Sequence, residues 1–248
     1  QAAESEFLLG GRGGTREDDM VTYSERILSG GRLVVWQRFA RFRAAAQAIR
    51  RLSGPTQPEK LLDIGAADGI GLPYLRPLAK EMLSVNYYEE HSQEFRAAHP
   101  HEAVLTADAR QLPLPDAAFD VCTSFEALNC VPRRADRVQC LAEILRVLKP
   151  GGLFVCSVPI EIGYPALIKY FARVCTGKQT RGIDFPVALR HWLYRFCDVE
   201  KYDRGCHAGF HVYRFLDDVR AKFAVLQTRA IPIPILFPMN LLIVARKR

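Results

Sequence analysis

The stretch Asp63-Ile64-Gly65-Ala66-Ala67-Asp68-Gly69 follows the apolar pair Leu61-Leu62 and is the part of the sequence that decides the fold. An apolar strand that ends in an acid and turns through glycines brings bare backbone to the start of the next helix. Main-chain N–H groups at such a point suit a ribose and a polar tail. The stretch therefore predicts an adenosyl-type cofactor site, although a tight strand-to-helix turn needs glycine whatever it binds.

The glycine spacing argues against a dinucleotide. The dinucleotide pattern G-x-G-x-x-G needs a third glycine. Counted from Gly69 and Gly71, that position is Tyr74, and counted from Gly65, the second glycine is replaced by Ala67. The spacing disfavours a nicotinamide or flavin cofactor, and a nucleotide-dependent oxidoreductase is kept only as an alternative.

A second strand-like run, residues 82–88, is rich in Val, Leu and Tyr and ends at Glu89. Glu89 lies about twenty residues beyond Gly69, where an acid can accept hydrogen bonds from both ribose hydroxyls. Glu90 is a rival one position along. Both glutamates also suit the first turn of a helix, because an acid there is stabilised by the helix dipole.

Farther along the chain, a short strand over 103–107 runs into Asp108 and Ala109. A carboxylate at such a strand end can accept a hydrogen bond from the exocyclic amine of adenine, and the small Ala109 leaves room for the ring. A fourth strand begins at Phe119, and a helix that stops at Lys149-Pro150-Gly151-Gly152 precedes a fifth strand over 153–158.

Taken in order, the elements from Leu61 to Pro159 resemble the class I S-adenosylmethionine-dependent methyltransferase family, in its small-molecule branch. The likeness rests on the acid-glycine turn, Glu89, Asp108-Ala109 with Leu112-Pro113, Phe119-Asp120, and residues 146–152. It implies an α/β fold with a Rossmann-like, seven-stranded, mostly parallel sheet, an antiparallel last strand and helices on both faces. It also implies S-adenosylmethionine as the cofactor and S-adenosylhomocysteine as its product.

The resemblance also implies which residues bind the cofactor. They are Asp63 at the start of the turn, Gly65, Ala67 and Gly69 beside the methionine moiety, Glu89 at the ribose, Asp108 and Ala109 at the adenine, and Phe125 after the fourth strand. Two positions depart from the family. Ala67 replaces the usual middle glycine, and Asn129-Cys130 stand where related chains often carry a histidine.

Candidate catalytic groups lie beyond the fifth strand. A hydroxyl acceptor benefits from a base of near-neutral pKa, and His207 and His211 are the candidates, with Glu161 as a carboxylate alternative. Cys197, Cys206 and the two histidines fall within fifteen residues. Their spacing fits no common zinc pattern, so no metal is expected, and the histidines equally suit a groove or the solvent.

The length of 248 residues and a hydrophobic content of 49% suit one large α/β domain. We expect a flexible tail over 1–19 and a single methyltransferase domain over 20–248. Its expected parts are a helical cap or lid (20–58), the cofactor-binding core (59–159), an acceptor-side insertion (160–215), and a last helix with a strand hairpin (216–248).

Charge is unevenly distributed along the chain. Residues 1–60 carry ten Lys/Arg and seven Asp/Glu (+3), residues 61–159 nine and thirteen (−4), and residues 160–248 fifteen and seven (+8). The basic C-terminal third favours an anionic acceptor, and docking at an anionic membrane surface is a lesser alternative. DNA is not expected as a partner, because no nucleic-acid module is visible.

The favoured function is methyl transfer to a small molecule, with a hydroxyl of a natural product or a surface-glycan sugar as the target. A lipid-linked acceptor is a further hypothesis, suggested by the apolar residues between Pro232 and Pro238. The alternatives are an RNA or protein methyltransferase and a cofactor-binding regulator without turnover. The expected location is the cytoplasm, because the sequence has no long uncharged apolar run and no signal-peptide pattern. The seven cysteines form no C-x-x-C pair and are expected to be reduced. The oligomeric state is left open.

Overall fold

Seven strands and the helices around them make up the part of the chain that the computed structural model describes, which is residues 22–28, 32–175, 189, 193, 210–233 and 237–248. The strands are β1 (Lys60–Ile64), β2 (Glu81–Asn86), β3 (Ala103–Thr106), β4 (Phe119–Phe125), β5 (Leu148–Pro159), β6 (Ala224–Ile233) and β7 (Phe237–Arg246). The α-helices are α1 (Tyr23–Leu28), α2 (Arg32–Leu52), α3 (Leu72–Leu75), α4 (Glu89–Ala98), α5 (Arg134–Val147), α6 (Tyr164–Cys175) and α7 (Val212–Lys222).

The strands form one sheet in the order β3-β2-β1-β4-β5-β7-β6. Strands β1 to β5 are parallel to one another, and β7 is antiparallel to both β5 and β6. The predicted fold, a seven-stranded and mostly parallel sheet with an antiparallel last strand, is confirmed. The order places β1 between β2 and β4, so the chain reverses its direction across the sheet at β1. Ligands of such sheets bind at this reversal, outside the carboxyl ends of the strands.

Alternating side chains of each strand supply two cores, one on each face of the sheet. Leu62 and Ile64 of β1 belong to the core that α5 and α7 cover, whereas Leu61 belongs to the core that α2 and α4 cover. Strands buried on both faces read as continuous apolar runs, which explains the composition of β1 and β5. The two layers of helices bury both faces and leave the strand ends as the place for a site.

Helix α2 lies within residues 20–58, where a helical cap or lid is expected. Its apolar side chains Phe42, Ala45 and Ile49 are buried against the sheet. Its C-terminal end lies at the amino ends of the parallel strands, where Arg246 donates a hydrogen bond to the carbonyl of Leu52 at 2.9 Å. The helix therefore begins beyond the opposite, carboxyl edge of the sheet.

Strand β5 begins five residues before its predicted start at Leu153. The ladder continues through the glycine pair, because the N–H of Gly151 donates to the carbonyl of Lys247 at 3.2 Å and the N–H of Lys247 to the carbonyl of Gly152 at 2.9 Å. Proline and glycine are poor strand formers, so local propensity alone predicts that the strand begins after them. Here the neighbouring strand supplies the hydrogen bonds that propensity does not foresee.

Two sequence expectations fall outside the described residues. They are the flexible tail over 1–19 and, apart from residues 189 and 193, the part of the acceptor-side insertion over 176–209. Within the described ranges, each helix is too short or too polar to cross a membrane.

Candidate functional site

The turn after β1 has the tight backbone that its sequence predicts. Gly65 has φ +79°, Gly69 has φ +89°, and Ala67, which bears a side chain, has φ +51°. A Cβ atom added to Gly65 would lie 2.2 Å from the Cβ of Ala127, in the segment that follows β4. Glycine is therefore required at position 65 both by its backbone conformation and by the close approach of a neighbouring segment, before any ligand is considered.

The N–H groups at the start of this turn are already used within the protein. Those of Gly65 and Ala66 point at the carbonyl of Val85 at 2.7 and 3.4 Å, and that of Gly69 donates to the carbonyl of Ala66 at 3.0 Å. That of Ala67 donates to a side chain, as described below. The turn satisfies these four groups internally, so they are not available to a ligand. The expectation that main-chain N–H groups at the start of the next helix suit a ligand stays a prediction.

Asp63 lies near the end of β1 and is 5% exposed. The hydroxyl of Thr123, its register partner in β4, donates a hydrogen bond to Asp63 Oδ1 at 2.6 Å. Burial raises the pKa of Asp63 from 3.8 to about 7, and the Thr123 hydrogen bond only partly offsets this rise. Asp63 is therefore a carboxyl group that changes charge near neutral pH.

A small open recess lies at the reversal point of the sheet. The rings of Phe42 and Phe125 contact each other in its wall, with centroids 4.8 Å apart and planes tilted by 55°. The described residues that line it are Phe42, Asp63, Gly65, Ala66, Ile70, Gly71 and Phe125. The structure thus brings together three of the predicted cofactor residues, Asp63, Gly65 and Phe125, and adds Phe42 from α2.

Asp68 gives the turn a second carboxylate that the sequence predictions do not include. It is 5% exposed, and its Oδ2 accepts a hydrogen bond from the N–H of Ser24 in α1 at 2.5 Å. Its Oδ1 is buried and accepts no hydrogen bond in the described part of the chain. A buried carboxylate oxygen without a partner is costly, so a cationic or donor ligand would be stabilised beside it.

Glu89, the predicted ribose residue, begins a helix and does not end a strand, and its role at a ribose stays a prediction. The sequence pattern places Glu89 at the end of the second strand, but β2 ends at Asn86 and Glu89 is the first residue of α4. It is half exposed, accepts hydrogen bonds from Thr106 Oγ1 at 2.5 Å and Arg96 Nη1 at 2.8 Å, and has its pKa lowered by them. The predicted strand end is wrong, because hydrogen bonding to the neighbouring strands stops before the two tyrosines. The alternative, an acid in a first helical turn, describes where Glu89 and Glu90 lie.

Asn86 occupies the strand end instead and is 2% exposed. Its Oδ1 accepts a hydrogen bond from the N–H of Ala67 at 2.8 Å, and its Nδ2 donates to the carbonyl of Ala67 at 2.8 Å. The sequence does mark this strand end, because the apolar Val85 is followed directly by the polar Asn86. The predicted strand continues past Asn86 because Tyr87 and Tyr88, which follow it, also favour strands.

Asp108 and Ala109 follow β3 at the same edge of the sheet. Arg110 holds the Asp108 carboxylate with its Nη2 at 2.6 Å and its Nε at 2.9 Å from Oδ2. Burial raises the pKa of Asp108, but the hydrogen bonds from Arg110 prevail and hold it below its usual value. Ala109 is half-buried against the core. A role for either residue at an adenine stays a prediction.

A charged cluster that the sequence did not reveal includes the residues next to Phe42 and Phe125 in the chain. Glu126 follows Phe125 with φ +56°, and its Oε1 accepts hydrogen bonds from Arg41 Nη1 at 2.5 Å and from Asn240 Nδ2. Arg41 is buried in α2, and Asn240 lies in β7. The partners of Glu126 are 85 and 114 positions away, so no local pattern could have identified them.

Two of the predicted catalytic residues, Glu161 and His211, are described, and neither is among the described residues that line the recess. Glu161 is 5% exposed and lies two residues beyond β5. His211 caps α7, with its Nδ1 accepting from the N–H of Arg214 at 3.3 Å, and burial together with Arg214 lowers its pKa. His207 lies outside the described residues. A general-base role for any of the three stays a prediction.

The predicted absence of a metal site is tested only in part. Among the described residues, no group of three or more His, Cys, Asp or Glu side chains could hold a metal ion. Cys197, Cys206 and His207 lie outside those residues.

The sheet order, the small-residue turn and the recess at the reversal point define an α/β domain of the kind that binds nucleotide cofactors. The family model described as a methyltransferase domain matches residues 62–156. A probable S-adenosylmethionine-dependent methyltransferase of Mycolicibacterium smegmatis is 29% identical over 123 residues, which is 50% of this chain and 47% of that protein. The demethylmenaquinone methyltransferase of Clavibacter sepedonicus is 34% identical over 137 residues, which is 50% of this chain and 54% of that protein.

A solved structure extends the likeness to the whole fold. The N-methyltransferase NodS of Bradyrhizobium japonicum, in complex with S-adenosylhomocysteine, superposes with a TM-score of 0.59 at 14% identity, covering 93% of this chain and 95% of that one. The chain spans about half the length of the curated relatives it matches. Residues 62–156 thus match a methyltransferase domain, and this part of the chain is similar to S-adenosylmethionine-dependent methyltransferases.

The residues of the recess suit the cofactor of this family. S-adenosylmethionine carries two cationic groups, an ammonium and a sulfonium. The turn presents the carboxyl groups of Asp63 and Asp68, one of them with an oxygen that lacks a partner among the described residues. Residues 61–159 as a whole are acidic by four charges, with nine Lys/Arg and thirteen Asp/Glu. A cationic ligand therefore fits this half of the molecule better than an anionic one.

Proposed function

We propose that this protein transfers the methyl group of S-adenosylmethionine to a small-molecule acceptor. The observation that carries the proposal is the recess at the reversal point of the sheet, where Asp63, the glycine turn and Phe125 meet. A recess of this kind holds one reactant in a fixed orientation, and methyl transfer needs alignment more than it needs an added catalytic group.

The cofactor supplies a methyl group on a positively charged sulfur, which is already reactive toward an electron-rich atom. The residues of the chain would bind the cofactor and exclude water from it. Asp63 and Asp68 would accept hydrogen bonds from the ammonium group of the methionine arm. Phe42 and Phe125 would exclude water from that side of the recess. The Glu126 cluster would hold α2 against the ends of β4 and β7, so that this wall stays closed.

The acceptor that we favour is a hydroxyl of a natural product or a surface-glycan sugar. When a hydroxyl is methylated, its proton must leave, and Glu161, His207 and His211 are the proposed bases for it. Among these, Glu161 is buried at the carboxyl end of the strand next to β4. This position supports Glu161 as the first residue to test.

The distribution of exposed apolar side chains supports an acceptor with an apolar or lipid part. Among the described residues outside 176–209, ten large apolar side chains are exposed. Nine of them lie on segments that enter or leave the carboxyl edge of the sheet, and Leu226 is the exception. Apolar side chains exposed on these segments are available to contact the apolar part of an acceptor. The other nine are Leu28, Trp36, Tyr87, Tyr88, Tyr164, Ile168, Phe171, Val174 and Tyr213. The relative from Clavibacter sepedonicus is named for a demethylmenaquinone acceptor, which supports the small-molecule class.

The first experiment is calorimetric titration with S-adenosylmethionine, S-adenosylhomocysteine and NAD. Saturable binding of the first two and none of NAD is expected. Tight NAD binding without adenosyl binding would favour the oxidoreductase alternative.

The second experiment locates the acceptor. The protein is incubated with methyl-labelled S-adenosylmethionine and an extract of the source cells, which is then separated into aqueous metabolites, lipids, RNA and protein. Label in the lipid or metabolite fraction is expected. Label only in RNA or protein would overturn the small-molecule proposal, and binding without transfer to any fraction would favour a non-catalytic regulator.

A further inference from the structure

The side chain of Asn86 pairs with both polar groups of one backbone residue. Its Oδ1 accepts from the N–H of Ala67, and its Nδ2 donates to the carbonyl of Ala67, each at 2.8 Å. Asn86 is buried at the end of β2, and Ala67 lies in the middle of the turn after β1. The pair therefore ties the turn to the neighbouring strand.

Ala67 needs such a tie because of its conformation. Its φ of +51° lies in the left-handed region, which a residue with a Cβ atom adopts only at a cost. The hydrogen bonds of Asn86 offset that cost, because both are lost if Ala67 relaxes to a more favourable conformation. A glycine at position 67 would hold the same conformation without this help.

A primary amide makes this pair at every pH, whereas an ionised carboxylate cannot make it. An asparagine side chain carries one acceptor and one donor about as far apart as the N–H and C=O of a peptide group, whereas a carboxylate has acceptors only. An aspartate at position 86 would place a negative oxygen against the carbonyl of Ala67. The residue type at this strand end thus matches the backbone it holds.

We propose that Asn86 is a positioning residue, which acts on the cofactor through Ala67 by holding the turn in the shape that faces the methionine arm. It takes the place at the end of β2 where an acid would bind the ribose hydroxyls directly. This inference rests on the proposed function, because it assumes that the turn receives the methionine arm of S-adenosylmethionine. Its first consequence is that loss of Asn86 weakens the binding of ligands with the methionine arm more than the binding of ligands without it.

The test compares two probes by calorimetry. S-adenosylhomocysteine has the amino-acid arm, whereas 5′-methylthioadenosine has the same adenosine and thioether without it. The variant Asn86→Ala leaves the buried N–H and carbonyl of Ala67 without partners, so we expect about tenfold or greater loss of affinity for S-adenosylhomocysteine. Affinity for 5′-methylthioadenosine should change much less. Equal losses for the two probes would mean direct ribose contact and would overturn the proposal.

A second variant tests the coupling to Ala67. In an Ala67→Gly background the turn needs less support, so Asn86→Ala should cost less affinity for S-adenosylhomocysteine there than in the native chain. Strictly additive losses would contradict an action through Ala67. Ser84→Ala is the matched control in β2, because the Ser84 hydroxyl is buried and makes no hydrogen bond in the described part of the chain. Its binding of both probes should equal that of the native protein.

The conservative variant Asn86→Asp gives a pH signature that a purely structural role would lack. In this variant a protonated carboxyl group can still donate to the carbonyl of Ala67, but an ionised one cannot. The affinity of this variant for S-adenosylhomocysteine, divided by the native affinity at the same pH, should therefore fall as pH rises. A ratio that is constant with pH would count against the proposal.

The clamp can be observed without any ligand. The amide hydrogen of Ala67 should exchange slowly with solvent in the native protein and faster in Asn86→Ala, with the rest of β2 still protected. Rapid exchange in the native protein would refute the clamp itself. Failure of the native protein to bind either probe, with Ala67 protected, would instead refute the proposed function.

Discussion

The titration of Asp63 leads to a quantitative prediction about cofactor affinity. Burial raises the pKa of this carboxyl to about 7, so the neutral form predominates in the free protein below that pH. A ligand ammonium prefers the ionised form, because opposite charges attract strongly in a buried site. Binding of S-adenosylhomocysteine should therefore strengthen as pH rises, with release of a proton.

The size of the effect follows from the pKa. Between about pH 6 and pH 7.5 the ionised fraction of a group with a pKa of about 7 rises from about one tenth to about three quarters, so the affinity should rise about eightfold. Calorimetry at the two pH values, in buffers with different heats of ionisation, measures both the affinity and the protons released. An affinity that is constant or falls over this range would refute the reasoning.

Two variants give the prediction its controls. Asp63→Asn cannot ionise and should bind weakly with no dependence on pH over this range. Thr123→Val removes the hydrogen bond that lowers the pKa of Asp63, so the rise in affinity should move to higher pH. A midpoint that moves to lower pH in Thr123→Val would contradict the assigned role of the hydroxyl.

Asp63 also affects the stability of the ligand-free protein. Its folded pKa of about 7 exceeds the ordinary 3.8, so the folded state holds the proton more tightly than the unfolded state. The contribution of Asp63 is fully present below about pH 3.8 and is lost as pH rises to about 7, for a total of about 4 kcal/mol before any relaxation of the site. Chemical denaturation of Asp63→Asn should show a smaller loss over this range than the native protein, and equal losses would assign the effect to other groups.

Three further predictions concern the walls of the recess. Gly65→Ala places a Cβ against Ala127, at a position with left-handed backbone conformation. It should lower the free energy of unfolding by roughly 2 kcal/mol or more, measured by denaturant titration. An unchanged unfolding midpoint would disprove the close approach. Asp68→Ala removes the acceptor for the N–H of Ser24, so amide exchange over residues 22–28 should accelerate while β1 stays protected. Equal exchange in the two proteins would show that Asp68 does not hold α1. Glu126→Ala leaves the buried Arg41 charge without this carboxylate and should cost roughly 3 kcal/mol, whereas Glu126→Gln, which keeps an acceptor, should cost less. A lower melting temperature for Glu126→Gln than for Glu126→Ala would contradict the ion pair.

The strands could be located from the sequence because each one is a short apolar run with a turn at its end. The acid-glycine stretch, the run from Phe119 and the helix before Lys149 gave the right order of elements, and the order is what specifies this fold. Element ends were less well predicted. Strand β5 extends through glycines and a proline because strand β7 supplies hydrogen bonds that no local propensity contains.

The sequence by itself determined the sheet, the turn at Asp63 to Gly69 and the place of the recess, because hydrophobic periodicity and glycine are local properties of the chain. Only the tertiary structure decided which groups act there. Asn86 rather than Glu89 meets the turn, Thr123 donates to Asp63, and Arg41 reaches Glu126 from a helix 85 residues earlier. Burial and contacts between distant segments set the charge and the hydrogen bonds of a side chain, and neither can be read from its neighbours in sequence.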